Sequence, residues 1–154
     1  MAMIPLTQGK FTIVDDTDYA WLSQWKWQHS KGYATRGVRI PSGKMKTIRM
    51  HRLIMDTPGN MDVDHANGNG LDNRRSNLRL CTTSENIQNQ RPRKSGTSKY
   101  KGVGWFVRDS NWRVRIKVGD KQIHIGYFAD EVEAAKAYDK MARQHFGAFA
   151  RTNF

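Results

Sequence analysis

Residues 111–118, NWRVRIKV, constrain the fold more than any other stretch of the chain. Trp112, Val114, Ile116 and Val118 alternate with Arg113, Arg115 and Lys117. Successive side chains of a strand point to opposite faces, so this octet predicts a strand with one apolar and one cationic face. YKGVGWFV (100–107) and KQIHIGYF (121–128) flank it as two further strands across the short turns RDS and GD. The apolar face needs a cover, and ADEVEAAKAYDKMARQHFG (129–147) supplies one. Ala134, Ala135, Tyr138, Met141 and Ala142 recur at helical spacing, and Gly147 stands where a helix C-cap belongs. The expectation is a three-stranded antiparallel sheet packed on one helix. Its cationic face is left outward, where like neighbours repel unless an anion lies against them.

Charge elsewhere points the same way. The 154 residues carry 26 Lys+Arg against 14 Asp+Glu, a net +12. Residues 91–121 alone hold ten basic residues and two acids, a surplus of eight. Such a surplus favours a polyanionic partner, nucleic acid before an anionic membrane. The helix at 129–147 has four acids against three basic residues, so it does not read as a membrane-surface helix. The single cysteine, Cys81, excludes an internal disulfide and a multi-thiolate zinc site within one chain. MAMIPLTQGK has no long apolar run, so the expectation is a cytoplasmic protein, not secreted, with no membrane partner.

The N-terminal part reads as short strands with turns: KFTIV (10–14), WKWQ (25–28), YATRGVRI (33–40) and KTIRM (46–50). DDTDYAWL (15–22) reads as a helical turn, and Trp21, Trp25 and Trp27 as core. TTSENIQNQ reads as a helix start, with Thr82 or Thr83 as cap and Glu85 as capping-box partner. Asn86 and Asn89 then share one helical face. RPRKSGTSK (91–99) contains no apolar side chain and reads as a basic linker, with Arg93 and Lys94 able to lie along phosphates. The division is therefore 1–90, a linker at 91–99, and 100–154.

Chemistry concentrates in MDVDHANGNGLDNRRSNLRL (61–80). Hydrolysing a phosphodiester needs an activated water and neutralisation of charge on the phosphoryl and leaving oxygens. A histidine near neutral pKa can deprotonate the water, and carboxylate and amide oxygens suit a hard cation such as Mg²⁺ or Mn²⁺. His65, Asp64 and Asn86 form such a set. Adjacent strand residues diverge, so Asp64 and His65 reach one site only if the strand ends there, and ANGNG (66–70) supplies the turn. Arg74, Arg75 and Arg79 are candidates for phosphate contact.

VDHANGNGLDNRRSNLRLCTTSENIQN resembles the HNH (ββα-metal) homing endonucleases of phages and related mobile elements. The resemblance rests on the Asp-His-x-Asn-Gly stretch, an Asn-Leu pair twelve residues after the His and a Ser-Glu-Asn helix twenty-one residues after it. MHRLIM (50–55) and the IPLTQGKFTIVDDTDYAWL opening (4–22) extend it. It implies an HNH ββα-metal module over 1–90, with His65 as general base and Asp64 and Asn86 holding one divalent cation, Mg²⁺ first and Mn²⁺ as alternative, not zinc. It implies that Asn77 braces the loop between the strands, that His51 supports the site, and that Asn89 is the substitute ligand. Ala66 is smaller than the residue usual after the His.

YKGVGW, IGYF, EAAKAYDKMA and FARTNF resemble the AP2 DNA-binding domain, which implies an AP2-like module over 100–154. This places Lys101, Arg113, Arg115, Lys117, Gln122 and His124 on a sheet that meets double-stranded DNA, with Asn153 and Phe154 structural. Gly104, Phe106 and His124 depart from the plant members, so plant base preference is not implied. The expectation is an α+β, two-module DNA endonuclease, a monomer with a dimer as alternative, that nicks duplex DNA. Its rivals are a DNA-binding regulator with a degenerate nuclease half and an RNA-binding protein.

Overall fold

The computed structural model describes residues 1–90 and 96–154, which form two compact units, Met1–Thr83 and Ser84–Phe154. It is a mixed α/β chain in which small antiparallel sheets alternate with helices.

In the first unit, β1 (Ala2–Pro5) pairs with β2 (Phe11–Val14), and α1 (Asp16–Leu22) follows. The strands β3 (Gln28–Ser30), β4 (Tyr33–Arg39) and β5 (Met45–Arg49) form a three-stranded sheet in that order. Helix α2 (Met50–Ile54) leads into a hairpin of β6 (Asp62–His65) and β7 (Leu78–Cys81). Ile4, Val14, Leu22, Trp27, Met50, Ile54, Val63 and Leu78 bury one core that ties these elements together.

Trp21 and Trp25 pack against that core, edge to face with a 6.0 Å centroid separation, while Trp27 is buried within it. The segment expected as a strand at 25–28 is instead a loop that becomes strand only at Gln28. The reason is local: Trp27 Nε1 donates to the Leu22 carbonyl at 2.9 Å, and Arg36 stacks on Trp25 at 4.0 Å. The indoles fix the path there, not a ladder. Strand β1, with no period-two pattern to announce it, was missed in the sequence.

The second unit follows the alternation seen in the sequence. It begins in α3 (Thr83–Gln88), then has β8 (Val103–Phe106), β9 (Asn111–Val118), β10 (Lys121–Phe128) and α4 (Glu131–Phe146). The three strands form an antiparallel sheet with β9 central. Val114 and Ile116 of β9 bury against Ala134, Tyr138, Ala142 and Phe146 of α4. Asp130 caps α4 by accepting from Glu133 N at 2.8 Å, and Gly147 closes it with φ 49°. YKGVGWFV is strand only from Val103, because Gly102 takes φ 78° and its α-carbon is covered by the Tyr138 ring. The chain end is held from inside: buried Asp139 accepts from Asn153 N at 2.8 Å and from Phe154 N at 2.9 Å. Among the described residues, no helix is long and apolar enough to cross a membrane.

Candidate active site and cationic sheet face

Strand β6 ends at His65, and Gly68 N donates to the His65 carbonyl at 2.7 Å to start the turn. The asparagines of ANGNG then build the loop from their own side chains. Asn67 Oδ1 accepts from Asn69 N at 2.8 Å, and Asn69 Oδ1 accepts from Leu71 N at 3.1 Å. Asn77 spans the loop: its Oδ1 accepts from Asn67 N at 3.1 Å, and its Nδ2 donates to the Asp72 carbonyl at 2.8 Å. The far side of the loop docks on β2, where Ile13 N donates to the Leu71 carbonyl and Asn73 N to the Ile13 carbonyl. This docking positions the histidine.

His65 is 5 % exposed, and its Nε2 lies 3.1 Å from Asn73 Oδ1. Asn73 in turn donates from Nδ2 to Thr12 Oγ1 at 2.7 Å, and the Thr12 hydroxyl donates to the Leu71 carbonyl at 2.8 Å. Thr12 spends its only proton on that carbonyl, so it must accept from Asn73, and Asn73 must present its oxygen to His65. The chain therefore places the imidazole proton on Nε2 and makes Nδ1 the basic nitrogen. Burial pulls the His65 pKa below its ordinary value, opposed by the Asn73 hydrogen bond and the Asp64 and Asp72 charges. A neutral imidazole with an assigned basic nitrogen is what proton abstraction requires.

Asp64, on the preceding residue, is also buried, and Arg79 directly across the ladder donates to its Oδ2 from Nε at 2.7 Å. His51, from α2, meets the His65 ring edge to face at 4.9 Å, and Tyr33 contacts both rings at 5.2 and 5.8 Å. Burial, then the His65, Arg49 and Arg52 charges, push the His51 pKa down to about 3, so it stays neutral. Among the described residues, its Nδ1 has no hydrogen-bond partner.

The expected phosphate contacts Arg74 and Arg75 are engaged inside the unit. Arg74 holds Asp72 through Nε and Nη2 at 2.7 and 2.6 Å. Arg75 holds Asp18 through the same pair of atoms, both at 2.8 Å. Each guanidinium keeps its carboxyl below the usual carboxylate range. Both arginines therefore serve first to anchor the loop to its surroundings.

Asn86 lies on α3, and Asn89 just beyond it is buried, its N donating to the Glu85 carbonyl at 3.3 Å. Arg93 and Lys94 lie outside the described residues. In the second unit the ladder sets Arg113 opposite Tyr127, Arg115 opposite His124 and Lys117 opposite Gln122. Arg115, Lys117, Gln122 and His124 are exposed together on that face. Arg113 stacks on Phe106 at 4.7 Å, and Tyr127 lies 5.5 Å from Phe106 and 4.7 Å from His124. Aromatic rings thus interleave the cations. Lys101 departs from the expectation. It precedes β8, is half-buried, and donates to the Gln88 carbonyl; burial and the Arg151 charge pull its pKa down to about 8.

Asn73, Thr12 and Tyr33 were missed in the sequence. Asn73 was indistinguishable from its neighbouring asparagines, and only the docking of β2 on the loop reveals its role.

A buried Asp-His pair at the end of a hairpin strand, followed by a loop built and braced by asparagines, matches a known pattern. The family model for HNH endonuclease matches residues 56–88. An uncharacterised HNH endonuclease of Acanthamoeba polyphaga mimivirus is 33 % identical over 150 residues, 95 % of this chain and 76 % of that protein. Protein 3.8 of Escherichia phage T7 is 35 % identical over 89 residues, 58 % of this chain and 73 % of that protein. The chain belongs to the HNH endonuclease family. An ethylene-responsive transcription factor of Arabidopsis thaliana is 41 % identical over 61 residues, 38 % of this chain but 14 % of that protein.

Proposed function

We propose that this chain is a metal-dependent DNA endonuclease of the homing type that nicks duplex DNA. The observation that carries it is the hydrogen-bond chain from Leu71 through Thr12 and Asn73 to His65, which leaves Nδ1 of a neutral imidazole as the base. His65 would take the proton of a water as that water attacks phosphorus, breaking the bond to the 3′ oxygen and leaving 5′-phosphate and 3′-hydroxyl ends.

The donor set fits a hard divalent cation: Asp64 is a buried carboxylate already matched to a cation, and Asn86 adds an amide oxygen on the strength of the family pattern. A bound Mg²⁺, or Mn²⁺, supplies Lewis-acid stabilisation of the scissile phosphate and leaving oxygen. Asn77 holds the loop that follows Asp64 and His65 on β6, and Asn89 is the substitute ligand. On this reading β6, β7 and α3 are the ββα-metal module within residues 1–90, 91–99 is a linker, and 100–154 is an AP2-like module.

Arg113, Arg115, Lys117, Gln122 and His124 would dock in the major groove and select the target. One centre per chain makes a nick the product of a monomer. The test is relaxation of supercoiled plasmid in Mg²⁺, stopped by EDTA, with nicks that DNA ligase reseals. Binding without any metal-dependent nick would make the chain a regulator instead.

A further inference from the structure

The first unit contains a cleft of about 880 Å³ on the flank of β4 and β5, lined by Lys31, Lys46, Arg49 and Arg52 with Tyr33 and Thr47. Its lining residues include no carboxylate. Four cations around one concavity repel each other, and the low-dielectric walls intensify the field they share. Arg52 is partly committed, donating to the Met61 carbonyl at 2.9 Å and to Asp62 at 3.4 Å. Lys31, Lys46 and Arg49 are exposed, and among the described residues none forms an ion pair within 4.0 Å. Arg74, Arg75 and Arg79, by contrast, are each held by a carboxylate.

The cleft and the catalytic histidine share a wall. The Arg49 guanidinium lies 5.7 Å from the Tyr33 ring centroid, and that ring touches His51 and His65. The loop carrying the asparagines is seated on the same corner. A side chain at Gly70 would sit 2.4 Å from the Gly32 carbonyl oxygen and 2.7 Å from Tyr33 Cδ1. Backbone and ring pack there without slack, so the cleft wall and the active-site loop keep a fixed relation.

We propose that this cleft is a phosphate-backbone subsite, in which Lys46 and Arg49, with Lys31, hold the cleaved strand of duplex DNA against Tyr33 and so deliver it to His65. The assignment rests on the endonuclease reading above. It gives the first unit its own grip on the backbone, separate from the cationic sheet of the second.

The test is the salt dependence of duplex binding by the full chain in EDTA, where no cleavage intervenes. Each lost phosphate contact lowers the slope of log affinity against log salt by about 0.9. The double variant Lys46→Gln/Arg49→Gln should lose about two units of slope. The control Lys26→Gln/Lys140→Gln, which removes equal charge from exposed positions outside the cleft, should keep the wild-type slope. In Mg²⁺ the cleft variant should raise KM for the duplex and keep kcat. A cleft variant with the wild-type slope, or a control that loses as much, overturns the proposal. A wild type that binds duplex yet never cleaves it removes the nuclease reading alone, because the slope still decides the cleft.

Discussion

Arg79 donates to one oxygen of Asp64, Oδ2, from both Nε and Nη2, at 2.7 and 2.6 Å. The pair faces across the β6–β7 ladder, with Asp64 7 % and Arg79 23 % exposed at the side chain. The carboxylate proposed to hold the metal therefore has a resident counter-charge in the protein itself. Removing one partner of a buried pair leaves the other uncompensated. Arg79→Met should cost about 3 kcal/mol of stability in EDTA. Divalent cation should then raise the melting temperature of the variant more than that of wild type, because it replaces the lost charge. Equal metal-induced shifts would contradict a metal at Asp64. Calorimetry with and without Mg²⁺ reads both.

Asn77 accepts from Asn67 N and donates to the Asp72 carbonyl, closing the loop between the two hairpin strands. Asn77→Ala leaves a buried carbonyl and an amide without their partner and should destabilise the chain by about 2 kcal/mol. Asn77→Asp keeps the acceptor and loses the donor, so its cost should be due to the Asp72 side of the loop. Duplex affinity should fall less in Asn77→Ala than in the Lys46→Gln/Arg49→Gln variant, since Asn77 lines neither the cleft nor the cationic sheet. Urea denaturation and equilibrium binding check the two halves separately.

Buried His51 has its pKa held near 3, against an ordinary value of 6.5. Above pH 6.5 neither folded nor unfolded chain protonates it, and its effect on stability vanishes. Between 6.5 and 3 the unfolded chain takes up a proton that the folded chain refuses, so stability falls as pH falls, by about 1.4 kcal/mol per unit. His65, also pulled down by burial, acts in the same direction. The shifted carboxyls Asp18 and Asp72 lie lower and do not contribute at pH 5. Urea titrations in EDTA should show a loss of about 2 kcal/mol or more between pH 7.5 and 5. His51→Phe should show a smaller loss. A flat profile would contradict the buried neutral pair.

Gly102 is fixed by two independent demands: a φ of 78°, and a Tyr138 ring whose Cδ2 would lie 2.0 Å from an added Cβ. Gly102→Ala meets both penalties and should cost about 3 kcal/mol, with the sheet's duplex affinity falling as α4 is displaced. Thermal denaturation and duplex binding of the variant check this.

What was legible in the sequence follows from where a single period governs. NWRVRIKV and the helix at 131–146 were readable because each turns one regularly spaced apolar face into a shared core, so Val114, Ile116, Ala134 and Tyr138 declare themselves by spacing. The Asp-His pair and the start of the asparagine loop were readable because turn chemistry is local: Asn67 and Asn69 each accept from the backbone two residues on. The illegible parts are the contacts that cross many residues. Thr12 reaches Asn73, Arg75 reaches Asp18, and Tyr33 reaches His65, and no local pattern marks any of these partners. The arginines of NRRSNLR looked outward because their acids come from β6, α1 and the loop itself. The tryptophans misled for another reason: β-formers by type, they pack as side chains around a loop.

On the proposed mechanism His65, its tautomer fixed through Asn73 and Thr12, is the base that activates water. The most direct measurement is the single-turnover rate of plasmid nicking in Mg²⁺ for wild type and His65→Ala, at matched DNA occupancy. Wild type should nick in a metal-dependent manner, and the variant should be slower by about 10²–10⁴ with duplex affinity unchanged. Nicking by His65→Ala at the wild-type rate would contradict it.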